Sequence, residues 1–156
     1  MDGDITDRVR DIAKNLDIPE LGPASISDNV IGLIWDKLLV NVGINPLTAL
    51  TDLKNGQLLE SDEGIRLLES LVNEGVEVAQ ALNIRLSHHT PEHCKTVAGQ
   101  TGENISSMLA DVMNKRKTEI ENINGAIVRE GERLGIPTPV HELITDLIIL
   151  KERSYT

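Results

Sequence analysis

The chain has 156 residues, which suits one domain with a substantial buried core. Its formal net charge of −10 repels phosphate backbones and anionic lipid surfaces, so we expect neither nucleic acid nor a membrane as a partner. It contains no Phe, one Trp and one Tyr, so Leu, Ile, Val and Ala must fill the core.

The cellular compartment is predicted from the N-terminal residues, the length of the apolar runs and the cysteine content. The first residues, MDGDITDR, are acidic, whereas a secretory signal begins with basic residues and continues with apolar ones. No run approaches the roughly 20 apolar residues of a membrane span. One cysteine, Cys94, excludes an internal disulfide framework. We therefore expect a cytoplasmic protein.

The N-terminal part is predicted to hold one short helix and a connection. Residues 5–16 place apolar side chains at helical spacing on one side. Residues 17–27 contain two prolines and a glycine, which favour a loop. Within that loop, residues 24–27 are the one candidate for a strand, and it would be very short.

A second helix is predicted to begin at Ser27 or Asp28, either of which can cap it, and to run to about Val42. The Asn45-Pro46 pair should interrupt it, because proline disfavours helical φ and ψ in the residue before it. A further helical turn can then open at Pro46.

Capping residues predict three helices in the middle of the chain. Ser61 opens the first, and a second opens at Thr90-Pro91. A third spans about 102–116. The helix after Ser61 has apolar side chains every three or four residues over five turns, at Ile65, Leu68, Val72, Gly75, Ala79 and Leu82.

Two more helices are predicted in the C-terminal part. Thr118-x-x-Glu121 is a capping-box pattern for one that ends before Gly135. Thr138-Pro139 opens the last, which carries a wide apolar stripe. The chain is therefore expected to be all-α, with six to eight helices packed on each other as a bundle.

Three polar residues on the second helix are the main candidates for chemistry. Lys37, Asn41 and Asn45 recur every four residues and therefore lie along one helix face. The ammonium can protonate or polarise a carbonyl oxygen while the amides hold hydroxyl groups, which suits a small polar substrate. The alternative is a solvated polar face without chemistry, and from spacing alone that is the more frequent outcome.

Other candidate sites have simpler explanations. The basic run 115–117 could attract an anion, or it could complement the C-terminal end of a helix dipole. His88, His89 and His93 lack a recognised metal-ligand spacing, so no metal is expected. Nothing in the sequence indicates that neighbouring Cys94 is activated as a nucleophile.

Two positions in the helix predicted after Thr118 also stand out. Glu119 falls in its first turn, where an acidic side chain complements the helix dipole. Asn124-Gly125 lies further along, where glycine costs roughly 1 kcal/mol relative to alanine. A close backbone contact is the usual reason for such a pair.

Three separated blocks resemble one protein family. They are IWDKLLVNVGINPLTAL, KNGQL and ENISSMLADVMNKRKTEIENINGAIVREGERLGIPTPVHELITDLI, in this order over most of residues 28–150. Together they are similar to the C-terminal domain of ketopantoate reductase (2-dehydropantoate 2-reductase). The resemblance implies a helical bundle of the 6-phosphogluconate dehydrogenase C-terminal-like type, a homodimer, and a small 2-oxo acid, ketopantoate, as substrate.

The resemblance also implies roles for single residues. Lys37 would be the catalytic lysine, the proton donor to the ketone as NADPH delivers hydride. Glu119 would contact the bound cofactor. The substrate would be held by Asn41, Asn45, Asn55 and Ser107, the last of them at its carboxylate.

The resemblance divides the chain at residue 27. Residues 1–27 are similar to the end of the family's nucleotide-binding Rossmann domain, and residues 28–156 to its helical substrate-binding and dimerisation domain. The 156 residues contain no G-x-G-x-x-G fingerprint and no Walker motif. We therefore expect no tight NADPH binding by this chain and no activity from it alone.

Three functions are open at this point. The first is the substrate-binding domain of an NADPH-dependent 2-dehydropantoate 2-reductase, which converts ketopantoate to pantoate in pantothenate and coenzyme A biosynthesis. The second is a non-catalytic helical dimerisation module, because the apolar side of residues 5–16 and the segment around Ile26 have no evident partner. The third is a reductase domain for another 2-oxo acid.

Overall fold

The computed structural model of the chain describes residues 6–15, 26–88 and 91–155. Within these residues the chain forms seven α-helices, one 3₁₀ helix and no strand, which confirms the predicted all-α bundle. Residues 26 and 27, the described part of the strand candidate, are irregular. The elements are α1 (Asp7–Asn15), α2 (Val30–Thr51), a 3₁₀ helix (Asn55–Glu60), α3 (Asp62–Ala81), α4 (Pro91–Gln100), α5 (Ser107–Met113), α6 (Asn124–Leu134) and α7 (Pro139–Arg153).

The bundle is built around α2, which contacts α3, α4, α5 and α7. Leu39, Ile44 and Leu47 belong to an aliphatic cluster with buried residues of α3 and α4. Val42 and Ala49 belong to a second cluster with buried residues of α5, α6 and α7. Because apolar clusters cover it on two sides, α2 is the element against which the other helices are placed.

The predicted break in α2 at the Asn45-Pro46 pair is wrong. The helix is continuous over Val30–Thr51, with Pro46 inside it. Proline lacks the N–H that would bond to the carbonyl of Val42, four residues earlier. The Nδ2 group of Asn124, on α6, donates to that carbonyl at 3.3 Å instead. A side chain from another helix thus fills the gap that proline leaves.

The greater length of α2 changes the expectation about membranes. By length and composition alone the helix Val30–Thr51 is able to cross a membrane, whereas the sequence prediction ended it near Val42 and found no such run. Half of its most apolar 18-residue window is buried inside the described part of the chain. One such helix is weak evidence for a membrane, because the core helix of a soluble protein meets the same criteria of length and composition.

Several predicted helix starts are confirmed. Ser61 caps α3, since its Oγ accepts from the N–H of Gly64 at 3.1 Å. Pro91 and Pro139 are the first residues of α4 and α7. The helix predicted over 102–116 is present but shorter. Ser106 caps it, and it covers only the residues of α5. Four of the six residues predicted to face the core from α3 are buried: Leu68, Val72, Gly75 and Ala79.

The capping box predicted at Thr118 does not form. The Thr118 N–H and hydroxyl both donate to one carboxylate oxygen of Glu152, at 2.7 and 2.6 Å. Glu121 pairs with Lys117 at 2.7 Å instead of reaching back to the backbone. The Thr118 Oγ1 still accepts from the N–H of Ile120 at 3.3 Å, but the Glu121 half of the box is absent. The chain makes turns here, and α6 begins only at Asn124.

The first helix lies at the periphery and is open to solvent. It spans Asp7–Asn15, slightly less than predicted. Val9 and Ile12, two residues of its predicted apolar side, are exposed. Ile5 and Leu16, at the ends of that side, lie outside the described residues. Ala13, on the same side, is half-buried, so the described part of this apolar side is only partly covered.

Candidate functional site

The polar stripe predicted on α2 is a line that passes from solvent into the core. Lys37 is exposed and Asn41 half-buried, while Asn45 is only 7% exposed. Within the described part of the chain the Lys37 ammonium makes no hydrogen bond or ion pair. The stripe thus has a free charged end outside and a neutral, desolvated end inside.

The structure brings Ser107 to the inner end of the stripe. Ser107 is the first residue of α5, and α5 packs on α2. The Asn45 Nδ2 group donates to the Ser107 Oγ at a rather long 3.4 Å. A long hydrogen bond of this kind can open easily toward a ligand oxygen, because little binding energy is lost. Two of the predicted substrate residues therefore share one location.

A buried pair of hydroxyl groups holds this corner together. The Oγ1 of Thr48, one turn beyond Asn45, lies 2.7 Å from the Oγ of Ser106. The same Ser106 Oγ accepts from the N–H of Leu109 and so caps α5. The pair fixes the start of α5 against α2, which sets where Ser107 stands.

Asn55 lies in a separate, firmly built turn at the start of the 3₁₀ helix. Its backbone N–H donates to the carbonyl of Asn104 at 3.0 Å, and its Nδ2 donates to the Thr101 Oγ1 at 3.0 Å. Its Oδ1 is buried and accepts from no group in the described residues. A buried amide oxygen without a donor is uncommon, and it is free to accept from a ligand hydroxyl.

Glu119 is in the turn between α5 and α6, not in a helix as predicted. Its side chain is exposed, and its carboxylate makes no hydrogen bond or ion pair within the described residues. Its backbone carbonyl accepts from the N–H groups of Asn122 and Ile123, at 2.9 and 3.0 Å. The turn is therefore ordered, while the carboxylate is free to meet a partner from outside.

An apolar surface continues the stripe outward. Val30 and Ile34 precede Lys37 by seven and three residues, on the same face of α2, and they are 58% and 57% exposed. Ile31 and Leu33 beside them are also exposed. We call these four residues the α2 apolar surface. Four large apolar side chains in one patch are typical of a surface that another domain covers.

The clefts that the helices enclose lie elsewhere. One of about 360 Å³ separates α6 from α7 and is lined by residues such as Glu121, Arg129 and Asp146. Another, of about 450 Å³, adjoins the 3₁₀ helix near Lys54 and Gln57. Neither contains a residue of the stripe. Judged by its chemistry, the stripe is the better candidate.

Sequence reasoning missed a buried network beneath the stripe. Asn124 and His141 are fully buried, and the Asn124 Nδ2 lies 3.2 Å from the His141 Nδ1. The His141 Nε2 lies 2.8 Å from the carbonyl of Leu71. Burial lowers the pKa of His141 to about 4, so the ring is neutral near pH 7. The one signal in the sequence was the Asn124-Gly125 pair, which was noted without a partner.

The weaker candidates gain no support as chemical sites. His88 and His93 stack with their ring centroids 4.0 Å apart, and His89 lies outside the described residues. Within those residues no three His, Cys, Asp or Glu side chains are placed to hold a metal. Burial raises the pKa of Cys94 to about 12, so the thiol stays protonated. In the basic run, Lys117 is paired with Glu121.

Comparison with known protein families gives one clear result. The sequence model described as "Ketopantoate reductase PanE/ApbA C terminal" matches residues 29–152. A 2-dehydropantoate 2-reductase from Halobacterium salinarum is 42% identical over 121 residues. That match covers 78% of this chain and 40% of the relative, so the chain spans well under half of the relative's length.

Solved structures give the same fold. D-mandelate dehydrogenase, in a ternary structure with NADH and anilino(oxo)acetate, superposes with a TM-score of 0.87 and 30% identity, covering 97% of this chain and 65% of that one. A dimeric ketopantoate reductase from Staphylococcus aureus superposes with a TM-score of 0.81 and 26% identity, covering 97% of this chain and 52% of that one.

Proposed function

Because the chain belongs to the ketopantoate reductase family, to its C-terminal domain, we propose that residues 28–156 bind the substrate of an NADPH-dependent 2-dehydropantoate 2-reductase. Residues 1–27 would be the end of its nucleotide-binding domain. The observation that carries the proposal is the α2 stripe, in which a free ammonium and two amides lie on one helix face and the last amide donates to the exposed Ser107 hydroxyl.

The residues of the stripe suit the polar groups of ketopantoate: the carboxylate, the adjacent carbonyl and the hydroxyl. Buried Asn45 and exposed Ser107, which meet at the inner end of the stripe, offer an amide and a hydroxyl to the carboxylate. Asn41 and the unpaired Oδ1 of Asn55 can bind hydroxyl groups. Lys37, at the exposed end, would donate a proton to the carbonyl oxygen, and hydride supplied by a bound nicotinamide cofactor would complete reduction to the 2-hydroxy acid.

The nucleotide itself does not fit on these residues. NADPH supplies the hydride in the proposed reaction. Its pyrophosphate would need a glycine-rich turn, and the 156 residues contain no such sequence. On this chain only Glu119, exposed and unpaired within the described residues, is proposed to contact the cofactor. We therefore infer that this chain binds NADPH weakly by itself.

The α2 apolar surface is the proposed contact for the nucleotide-binding domain. It adjoins Lys37 on the same helix face, so a domain that covers it also covers the lysine. Excluding water there strengthens the electrostatic effect of the ammonium on the carbonyl. The assembled enzyme is proposed to act in the cytoplasm.

Turnover measurements test the proposal. We expect no oxidation of NADPH by these 156 residues with ketopantoate, because they contain no glycine-rich nucleotide-binding motif. Adding the separately produced nucleotide-binding domain of the Halobacterium salinarum relative should restore turnover. The same mixture with Lys37→Ala should lose it. Rapid turnover by this chain alone, or turnover that is unaffected by Lys37→Ala, would contradict the proposal.

A second candidate is a reductase for another 2-oxo acid. The similarity to D-mandelate dehydrogenase favours it, because that structure contains NADH and anilino(oxo)acetate. The stripe is proposed to recognise a carboxylate and a carbonyl, and ketopantoate and phenylglyoxylate both contain these groups. Comparing ketopantoate with phenylglyoxylate in the restored mixture would separate the two, since a preference for phenylglyoxylate would favour this candidate.

A third candidate, compatible with the first, is dimerisation. Leu143, Leu147 and Leu150 form an exposed apolar stripe on α7, with Leu143 62% exposed. The Staphylococcus aureus relative is described as dimeric. We propose that this chain forms a homodimer as well. Light scattering at high protein concentration tests this, and a monomer would contradict it.

A further inference from the structure

Pro46 leaves a carbonyl without its helical partner directly beside the inner end of the stripe. In a regular helix the N–H of residue 46 would donate to the carbonyl of Val42. Proline has no N–H, and a proline inside a helix usually kinks or breaks it. Yet α2 is continuous through Asn45, and Val42 is fully buried. No water reaches this carbonyl to replace the lost bond.

The Asn124 side chain supplies the missing donor. Its Nδ2 lies 3.3 Å from the Val42 carbonyl oxygen and 3.2 Å from the His141 Nδ1. Only an NH₂ group can donate to both. The His141 ring then accepts at Nδ1 and donates from Nε2 to the carbonyl of Leu71, 2.8 Å away. This chain of bonds fixes which way the amide points.

The Asn124 amide occupies this buried position although its unpaired oxygen destabilises the folded state. The Asn124 Oδ1 is buried and finds no donor in the described part of the chain. An unpaired buried oxygen destabilises a fold, and an apolar side chain of similar size would avoid it. Packing alone therefore does not explain an asparagine here, whereas donation to Val42 does.

We infer that Asn124 is a positioning residue: its amide replaces the N–H that Pro46 lacks and so keeps α2 continuous through Asn45. A continuous helix holds Lys37, Asn41 and Asn45 on one face and places Asn45 against Ser107. The part of this inference that concerns ligand binding rests on the proposed function. The part that concerns the helix does not.

The test is a pair of substitutions and their combination. Asn124→Leu removes the donor, and Pro46→Ala restores a backbone N–H that can bond to Val42. In Asn124→Leu we expect about tenfold faster amide hydrogen exchange in α2 after residue 43, since one buried hydrogen bond is lost. The Asn45 side-chain amide resonances should shift, and pantoate binding should weaken about tenfold.

Adding Pro46→Ala to Asn124→Leu should restore all three readouts toward those of the unaltered chain. Asn122→Leu, at an exposed asparagine of the preceding turn, is the matched control and should change none of them. If Asn124→Leu has the same effects with and without Pro46→Ala, the inference is overturned, because the effects then come from altered packing and not from the lost hydrogen bond to Val42. If Asn124→Leu does not fold, folding of the double variant supports the inference, and its failure to fold overturns it.

Different results would contradict the proposed function and the proposed role of Asn124. If the unaltered chain does not bind pantoate, the proposed function fails on that result alone. Hydrogen exchange in α2 and the Asn45 resonances then still decide whether Asn124 replaces the missing N–H.

Discussion

Acidification should destabilise the chain through His141, the buried histidine that bonds Asn124. Its pKa is lowered to about 4 by burial, whereas an unfolded chain has a value of about 6.5. Between these values the unfolded state binds more protons than the folded state, so stability falls as the pH decreases from 6.5 to 4. The interval is about 2.5 pH units, which corresponds to roughly 3 kcal/mol of unfolding free energy.

The structure shows why the folded chain resists this proton. The Nδ1 atom faces the NH₂ group of Asn124, so a proton added there would set two donors against each other. The ring is also fully buried, which penalises the charged form. His141→Gln keeps an acceptor and a donor at this site but does not titrate, and it serves as the matched control.

The assay is urea unfolding at several pH values between 7.5 and 4 for the unaltered chain and for His141→Gln. Carboxylates titrate in both proteins, so their contribution cancels when the unfolding free energy of one protein is subtracted from that of the other. We expect the unaltered chain to lose roughly 3 kcal/mol more than the variant between pH 7 and 4. Parallel stability curves for the two proteins would refute the argument that His141 stays neutral in the folded state.

Three further predictions concern α2 and the helices around it. Gly43→Ala would place a Cβ 2.9 Å from the Val72 Cγ2, so we expect a loss of about 1–3 kcal/mol in thermal unfolding. Glu74 accepts from the first N–H groups of α7, and Glu74→Ala should cost about 1 kcal/mol, while exposed Glu77→Ala should cost almost nothing. Lys37→Ala should change the unfolding free energy by less than about 0.5 kcal/mol, because the side chain is exposed and unpaired within the described residues; a larger loss would mean a structural role for the lysine.

Local sequence signals predicted the helices well. Ser61 and Pro139 marked helix starts because capping and proline placement depend on neighbouring residues only. The four-residue spacing of the stripe likewise placed Lys37, Asn41 and Asn45 on one face without any knowledge of the fold.

The errors arose where a distant side chain replaced a local partner. Pro46 should end a helix by local rules, but Asn124, 78 residues further along, supplies the missing bond. Thr118 and Glu121 should form a capping box, but the Thr118 N–H and hydroxyl donate to Glu152 and the Glu121 carboxylate pairs with Lys117. In the candidate site, the contact of Asn45 with Ser107 depends on α5 packing against α2. No pattern within either segment could show it.

Titration of pantoate into the isotopically labelled chain tests the central claim most directly. The side-chain amides of Asn41 and Asn45 lie on the proposed path of the ligand and report on it in solution. We predict saturable shifts of both amides with pantoate, and binding at least tenfold weaker in Lys37→Ala, in which the charged end of the stripe is removed. Unchanged amide resonances, or equal weak binding by both proteins, would contradict the claim that α2 carries a formed substrate site.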